Sequence, residues 1–181
     1  MYNGETIVIN MMGGPGSGKS TTASGIFYEL KKLGYDCELV TEYAKDKVWD
    51  GSYETLKDQI YVFGHQYHRL WKLKGKVRFI ITDTSLIFGI HYSQYDSKRF
   101  NDFVIEAFSH FINLNYFIKR GNTFNDKGRI HDLKESIKAD EIIKQIMKDY
   151  NIEYKEVEQD DAVKIIVDEI VNKFPLDEKT N

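Results

Sequence analysis

The sequence holds a single cysteine, Cys37, so no disulfide can form within the chain. That thiol lies in a stretch that reads as a buried strand, where it serves as a small hydrophobe. No apolar run approaches the roughly 18 residues of a membrane span. The opening MYNGETIVIN has neither a basic n-region nor a cleavage pattern. The chain is therefore expected to work in the cytoplasm, with no membrane partner. An excess of one charge is also missing: 25 Lys+Arg against 28 Asp+Glu leave a formal net charge of −3, which gives no global attraction to nucleic acid. There is no internal repeat, low-complexity segment or interdomain linker. What is present is a chain of 181 residues, 41% hydrophobic, which can bury one substantial core. A single domain over 1–174 with a tail at 175–181 is expected.

One segment carries chemistry outright. GGPGSGKST at 13–21 fits G-x-x-x-x-G-K-[ST] through Gly13, Gly18, Lys19 and Ser20. Glycines let the backbone turn its N–H groups inward as an anion nest, and the following helix adds the positive end of its dipole. Gly14, Pro15, Gly16, Ser17, Gly18, Lys19, Ser20 and Thr21 are the expected nucleotide-binding residues. Lys19 would reach the β- and γ-phosphates as a mobile charge, and the Ser20 hydroxyl would be a ligand of Mg²⁺. Context supports the motif: an apolar run at 6–12 precedes it, and Ala23, Ile26, Phe27, Leu30 and Leu33 follow at helical spacing before Gly34.

Beyond the loop, strands are expected at 37–43, 77–83, 114–119 and 152–157. Helices are expected at 53–74, 86–92, 99–111, about 132–150 with Asp132 and Glu135 as a capping box, and 161–174. The stretch 44–52 reads as a loop. Strands alternating with helices predict an α/β fold with a parallel sheet covered on both faces. Ligands of such a sheet lie outside the carboxyl ends of the strands.

Two carboxylates stand there. Asp83 follows the buried FIIT and suits the acid that holds Mg²⁺ in P-loop enzymes. Glu42 ends the second strand, where it either accepts the proton of an attacking substrate hydroxyl or binds a ribose hydroxyl; the plainer alternative for both acids is a helix cap or a solvated turn. Gln59 and Gln66, seven apart with Phe63 beside them, form a candidate frame for a planar substrate ring, or else ordinary rim residues. His65 and His68 lack a companion metal motif and read as helix-surface histidines. The loop RGNTFNDKGR at 120–129, within a lid expected at about 120–131, supplies Arg120 and Arg129 as guanidinium donors to a transferring phosphoryl group, with Gly121 and Gly128 as hinges; a surface hairpin is the alternative.

Together GGPGSGKSTTA, TEYAKD, FIITDTS and FNDKGR resemble the P-loop nucleoside-kinase-like family typified by bacterial nicotinamide riboside kinase domains, which includes small phage P-loop ATPase or kinase proteins. The resemblance runs in order through nearly the whole chain. It implies a three-layer α/β/α P-loop NTPase fold with a five-stranded parallel sheet of order 2-3-1-4-5, ATP with Mg²⁺ as cofactors, and phosphoryl transfer to a hydroxyl. It also implies Glu42 as the acid after the second strand, Asp83 as the Walker-B-type acid and Arg129 as the lid arginine. The lid departs from nicotinamide riboside kinases: Phe124 replaces their tryptophan, and Gly128 abuts Arg129.

The resulting expectation is a kinase acting on a small nucleoside-type or nucleotide-type substrate, with Lys19, Glu42, Asp83, Arg120 and Arg129 as its catalytic set. A nucleic-acid kinase is the first rival; Lys72, Lys74, Lys76 and Arg78 would give it charge, although such clusters are usually a solvated face. A non-kinase ATPase switch is the second. The segment VEQDD at 157–161 falls where this fold usually contacts adenine.

Overall fold

The structure is a computed structural model that describes residues 4–93, 97–121 and 133–176. The lid segment with Phe124, Gly128 and Arg129, the capping residue Asp132 and the end of the tail lie outside the described residues.

Strand β1, Ile7–Met12, is buried along its whole length. Its side chains alternate: Ile7, Ile9 and Met11 join one apolar cluster, Val8 and Met12 another. Asn10 is the polar exception, 1% exposed, and it donates to the side-chain oxygens of Asn113 (3.0 Å) and Asn115 (3.1 Å). A buried amide with partners avoids the cost of desolvating an unpaired one. Strands β2 (Cys37–Val40), β3 (Phe79–Thr82), β4 (Ile112–Lys119) and β5 (Lys155–Glu158) complete the sheet. All pairings are parallel and the order is β2-β3-β1-β4-β5, as the resemblance implies.

Helices α1 (Lys19–Lys32) and α8 (Ala162–Lys173) cover one face. The other is covered by α4 (Gln59–Trp71), α5 (Phe88–Tyr92), α6 (Lys98–Ser109) and α7 (Leu133–Asp149). A parallel sheet buried on both faces explains why its central strands read as apolar runs.

Two stretches differ from expectation. The helix expected at 53–74 is two, α3 (Tyr53–Lys57) and α4, broken at Asp58, whose ψ of 82° is not helical and whose carboxylate accepts from Tyr61 N at 3.1 Å. Aspartate competes for backbone donors and favours a cap over a helix interior. The stretch expected as a loop after β2 is largely helix α2, Tyr43–Trp49. It is too short to show a period. Tertiary contacts secure it: the Tyr43 ring stacks on His65 with centroids 4.4 Å apart, and Asp46 pairs with Arg69 at 2.5 Å.

Candidate nucleotide and phosphoryl-transfer site

The P-loop leaves β1 at Gly13 and enters α1 at Lys19. Its turn needs left-handed backbone at Gly16 (φ 83°) and Gly18 (φ 89°), which glycine alone adopts without strain. At Gly18 a side chain is excluded twice, since a Cβ would also lie 2.7 Å from the Gln159 side chain. The Ser17 side chain is fully buried against Gly13, so it shapes the loop from within. Thr21 is exposed on the first turn of α1.

The two residues expected to hold a metal are brought together. Ser20 Oγ donates to Asp83 Oδ2 at 2.6 Å, while Asp83 Oδ1 accepts from the backbone N–H of Glu42 at 2.9 Å. Asp83 is 4% exposed and thereby ties the ends of β2 and β3 to the P-loop. A hydroxyl and a carboxylate are hard oxygen donors, the set through which Mg²⁺ is held together with phosphate oxygens and water. The donor chemistry fits the ion. Among the described residues there is no group of three or more His, Cys, Asp or Glu that would hold a metal without such phosphates.

Lys19 donates to Gly14 O at 2.9 Å, folded back on its own loop, and its Nζ lies 5.9 Å from the centre of the Phe88 ring. Glu42 opens α2 beside Asp83. A cleft of about 290 Å³ runs between α1 and α2, and Ser20, Leu39, Thr41, Glu42, Lys45, Asp46, Trp49 and Asp83 line it. The cleft therefore gives access to Ser20, Asp83 and the second carboxylate together.

A family model described as an AAA domain (AAA_28) matches residues 8–163. The chain belongs to this AAA domain family. Among solved structures, the AAA-family chain is similar to NadR protein in complex with NAD and AMP-PNP, with a TM-score of 0.70 at 13% identity. The match covers 97% of this chain and 51% of that one, so this chain spans about half the length of its structural relative. No curated protein matches it. Family and topology agree on a P-loop NTPase fold.

The expected substrate frame is not what the AAA-family fold builds. Gln66 is 6% exposed; its Oε1 accepts from Tyr43 N at 2.8 Å and its amide donates to Thr41 O at 3.4 Å. Gln59 is buried and donates to Leu56 O at 2.5 Å. Phe63 sits in the apolar core against Phe100 and Phe103. None of the three lines the cleft. Their seven-residue spacing did place them on one face, but it is the face turned to the protein, where Gln66 holds the end of β2 and the start of α2 and Gln59 bonds α3.

Arg120 is brought to the P-loop, on the flank away from Ser20. Its Nη1 donates to Pro15 O at 2.8 Å, and its Nη2 to Ser136 Oγ at 2.5 Å and Asp140 Oδ2 at 3.0 Å. Arg129 lies outside the described residues.

Three residues of the site escaped sequence reading, and a fourth was reached only as part of the VEQDD segment. Asp140 also accepts from the backbone N–H of Gly14, and Ser136 donates to Pro15 O. Gln159, inside VEQDD, accepts from Gly121 N at 3.1 Å while packing over Gly18. Tyr92 at the end of α5 has its hydroxyl pushed above the usual tyrosine range, by burial first and then by the carboxylates of Glu42 and Asp140. It stays protonated at neutral pH. One signal was available: Ser136 occupies a position on the apolar stripe of α7 with Ala139 and Ile143, and a polar residue there asks for a partner.

Proposed function

We propose that this protein is an ATP-dependent kinase that transfers the γ-phosphate of MgATP to a hydroxyl of a small nucleoside-type or nucleotide-type substrate. The observation that carries the reading is Glu42. A second carboxylate stands beside the Ser20–Asp83 pair and lines the same cleft, which leaves room for an acceptor hydroxyl next to the nucleotide phosphates. The fold shared with NadR, a protein whose crystal structure holds NAD and AMP-PNP, supports the same class.

In this mechanism the P-loop amides and Lys19 bind the polyphosphate. Lys19 exchanges the Gly14 carbonyl for phosphate oxygens and neutralises charge on the transferring group. Ser20 and Asp83 would hold Mg²⁺, which would supply charge neutralisation at the phosphates. Glu42 orients the acceptor hydroxyl and takes its proton as the acceptor oxygen bonds to the γ-phosphorus. The bond from that phosphorus to the β–γ bridging oxygen breaks, and ADP leaves. Arg129 is assigned to the equatorial oxygens.

The test is ADP release from MgATP with a panel of nucleosides, nicotinamide riboside, deoxynucleoside monophosphates and short DNA, with Lys19→Ala as blank. Stimulation by a small nucleoside-type compound, lost in Glu42→Gln with ATP affinity kept, is the expected result. Stimulation by DNA alone moves the acceptor to nucleic acid, and none by any compound removes the kinase reading in favour of a switch.

A further inference from the structure

Helix α7 grips two consecutive residues of the P-loop. Asp140 accepts from the Gly14 N–H, and Ser136, one turn earlier on the same side of α7, donates to Pro15 O. Arg120, at the end of β4, closes the set: it bonds Pro15 O, Ser136 Oγ and Asp140 Oδ2 at once. The approach is so close that a Cβ on Gly14 would clash with the Ser136 carbonyl and lie 3.0 Å from Asp140 Oδ1. Side-chain exposures of 13% and 20% put the Arg120–Asp140 pair largely out of water.

We propose that Asp140 is a positioning residue for nucleotide binding, which fixes the Gly14–Pro15 segment of the P-loop from α7, and that Arg120 belongs to this clamp and does not reach for the transferred phosphoryl group. Two arguments separate a clamp from a mobile finger. The guanidinium already serves three acceptors, one of them the P-loop backbone itself. If it left to follow a phosphate, Asp140 would remain as an uncompensated carboxylate close to the incoming polyphosphate, and removing one partner of such a shielded pair is costly. The clamp also explains how an anionic side chain is tolerated against an anion-binding loop: Arg120 cancels its charge through Oδ2, while Asp140 Oδ1 holds the loop N–H.

The inference needs only a nucleotide on the P-loop and no acceptor, so it stands or falls apart from the kinase reading. Calorimetric titration with MgADP tests it on the wild type, Asp140→Asn, Asp140→Ala, Arg120→Ala and the double alanine variant, with the melting temperature of each nucleotide-free protein recorded. Asp140→Ala is expected to weaken MgADP by about tenfold or more, the range for a lost hydrogen bond to a charged group. Asp140→Asn should lose less, because its side-chain oxygen still accepts from Gly14. The double variant should fall near the single ones, since the residues act as one unit. Wild-type MgADP affinity in Asp140→Asn and Arg120→Ala overturns the proposal, even if both melt earlier. So does an Arg120→Ala protein that keeps its affinity while turnover collapses. Should Asp140→Ala fail to fold, Asp140→Asn decides: a weakened affinity supports the clamp and an unchanged one removes it.

Discussion

The P-loop is supported on two flanks of different make. On one, Ser20, Asp83 and Glu42 meet through residues at the ends of adjacent parallel strands, where short side chains and one backbone N–H need no long reach. On the other, α7 and the end of β4 bring a charged pair and a serine to the backbone of Gly14 and Pro15. The first flank lines an open cleft. The second spends its donors on the protein. Polar residues around the loop thus divide into those that line an open cleft and those that hold the loop backbone, and only the tertiary structure tells which is which.

The largest effect that would break this division is at Lys19, which both flanks serve. Lys19→Ala should lower nucleotide turnover by about a hundredfold or more, the scale of losing one strong donor to developing charge; near-normal ADP release would show that the loop does not work as a phosphate site. Next is the ligand-facing flank. Asp83→Asn should raise the Mg²⁺ concentration needed for half-maximal turnover by about 10–100-fold, read in a Mg²⁺ titration, and an unchanged requirement would remove Asp83 from the metal site.

Smaller effects sharpen the same contrast by separating stability from ligand chemistry. Gln66→Ala should cost about 1–3 kcal/mol in urea unfolding, because the buried Tyr43 N–H loses its acceptor; substrate preference should not move. Gly18→Ala should cost about 1–2 kcal/mol from left-handed backbone alone, with the Gln159 contact adding to it. The smallest is far from either flank. Burial raises the Cys37 thiol from 9.0 to about 11, so the folded state keeps a proton that the unfolded state gives up between those values. Stability should then fall as pH rises through about 9 to 11, since the native state binds more protons there. Cys37→Ala should flatten that part of the profile.

Much of the ligand-facing flank was legible because its chemistry is local. A glycine-rich motif between an apolar strand and a helix, and acids that directly follow apolar strands, are both written in consecutive residues. That rule pointed to Asp83 and Glu42 at the ends of β3 and β2, and both line the cleft. The Gln59, Phe63 and Gln66 face shows the reverse: the period was read correctly, yet periodicity says only that side chains share a direction, not whether solvent or β2 lies in that direction. Helix α2 was missed for a related reason, since seven residues carry too little period and the stacking of Tyr43 on His65 is a contact across 22 positions of sequence.

From the sequence alone came the P-loop and its neighbours, the alternation that makes a parallel sheet, and the strand-end acids, because each follows from short-range sterics and from burial along a continuous stretch. The resemblance to kinases added the strand order, and the topology agrees with it. Only the tertiary structure decided that Asp140 and Ser136 serve the P-loop and that Arg120 faces Pro15. Those residues stand 16 to 126 positions from their partners. Their meeting depends on how α7 docks beside β4 and α5, which is a property of the packed core and of no local pattern.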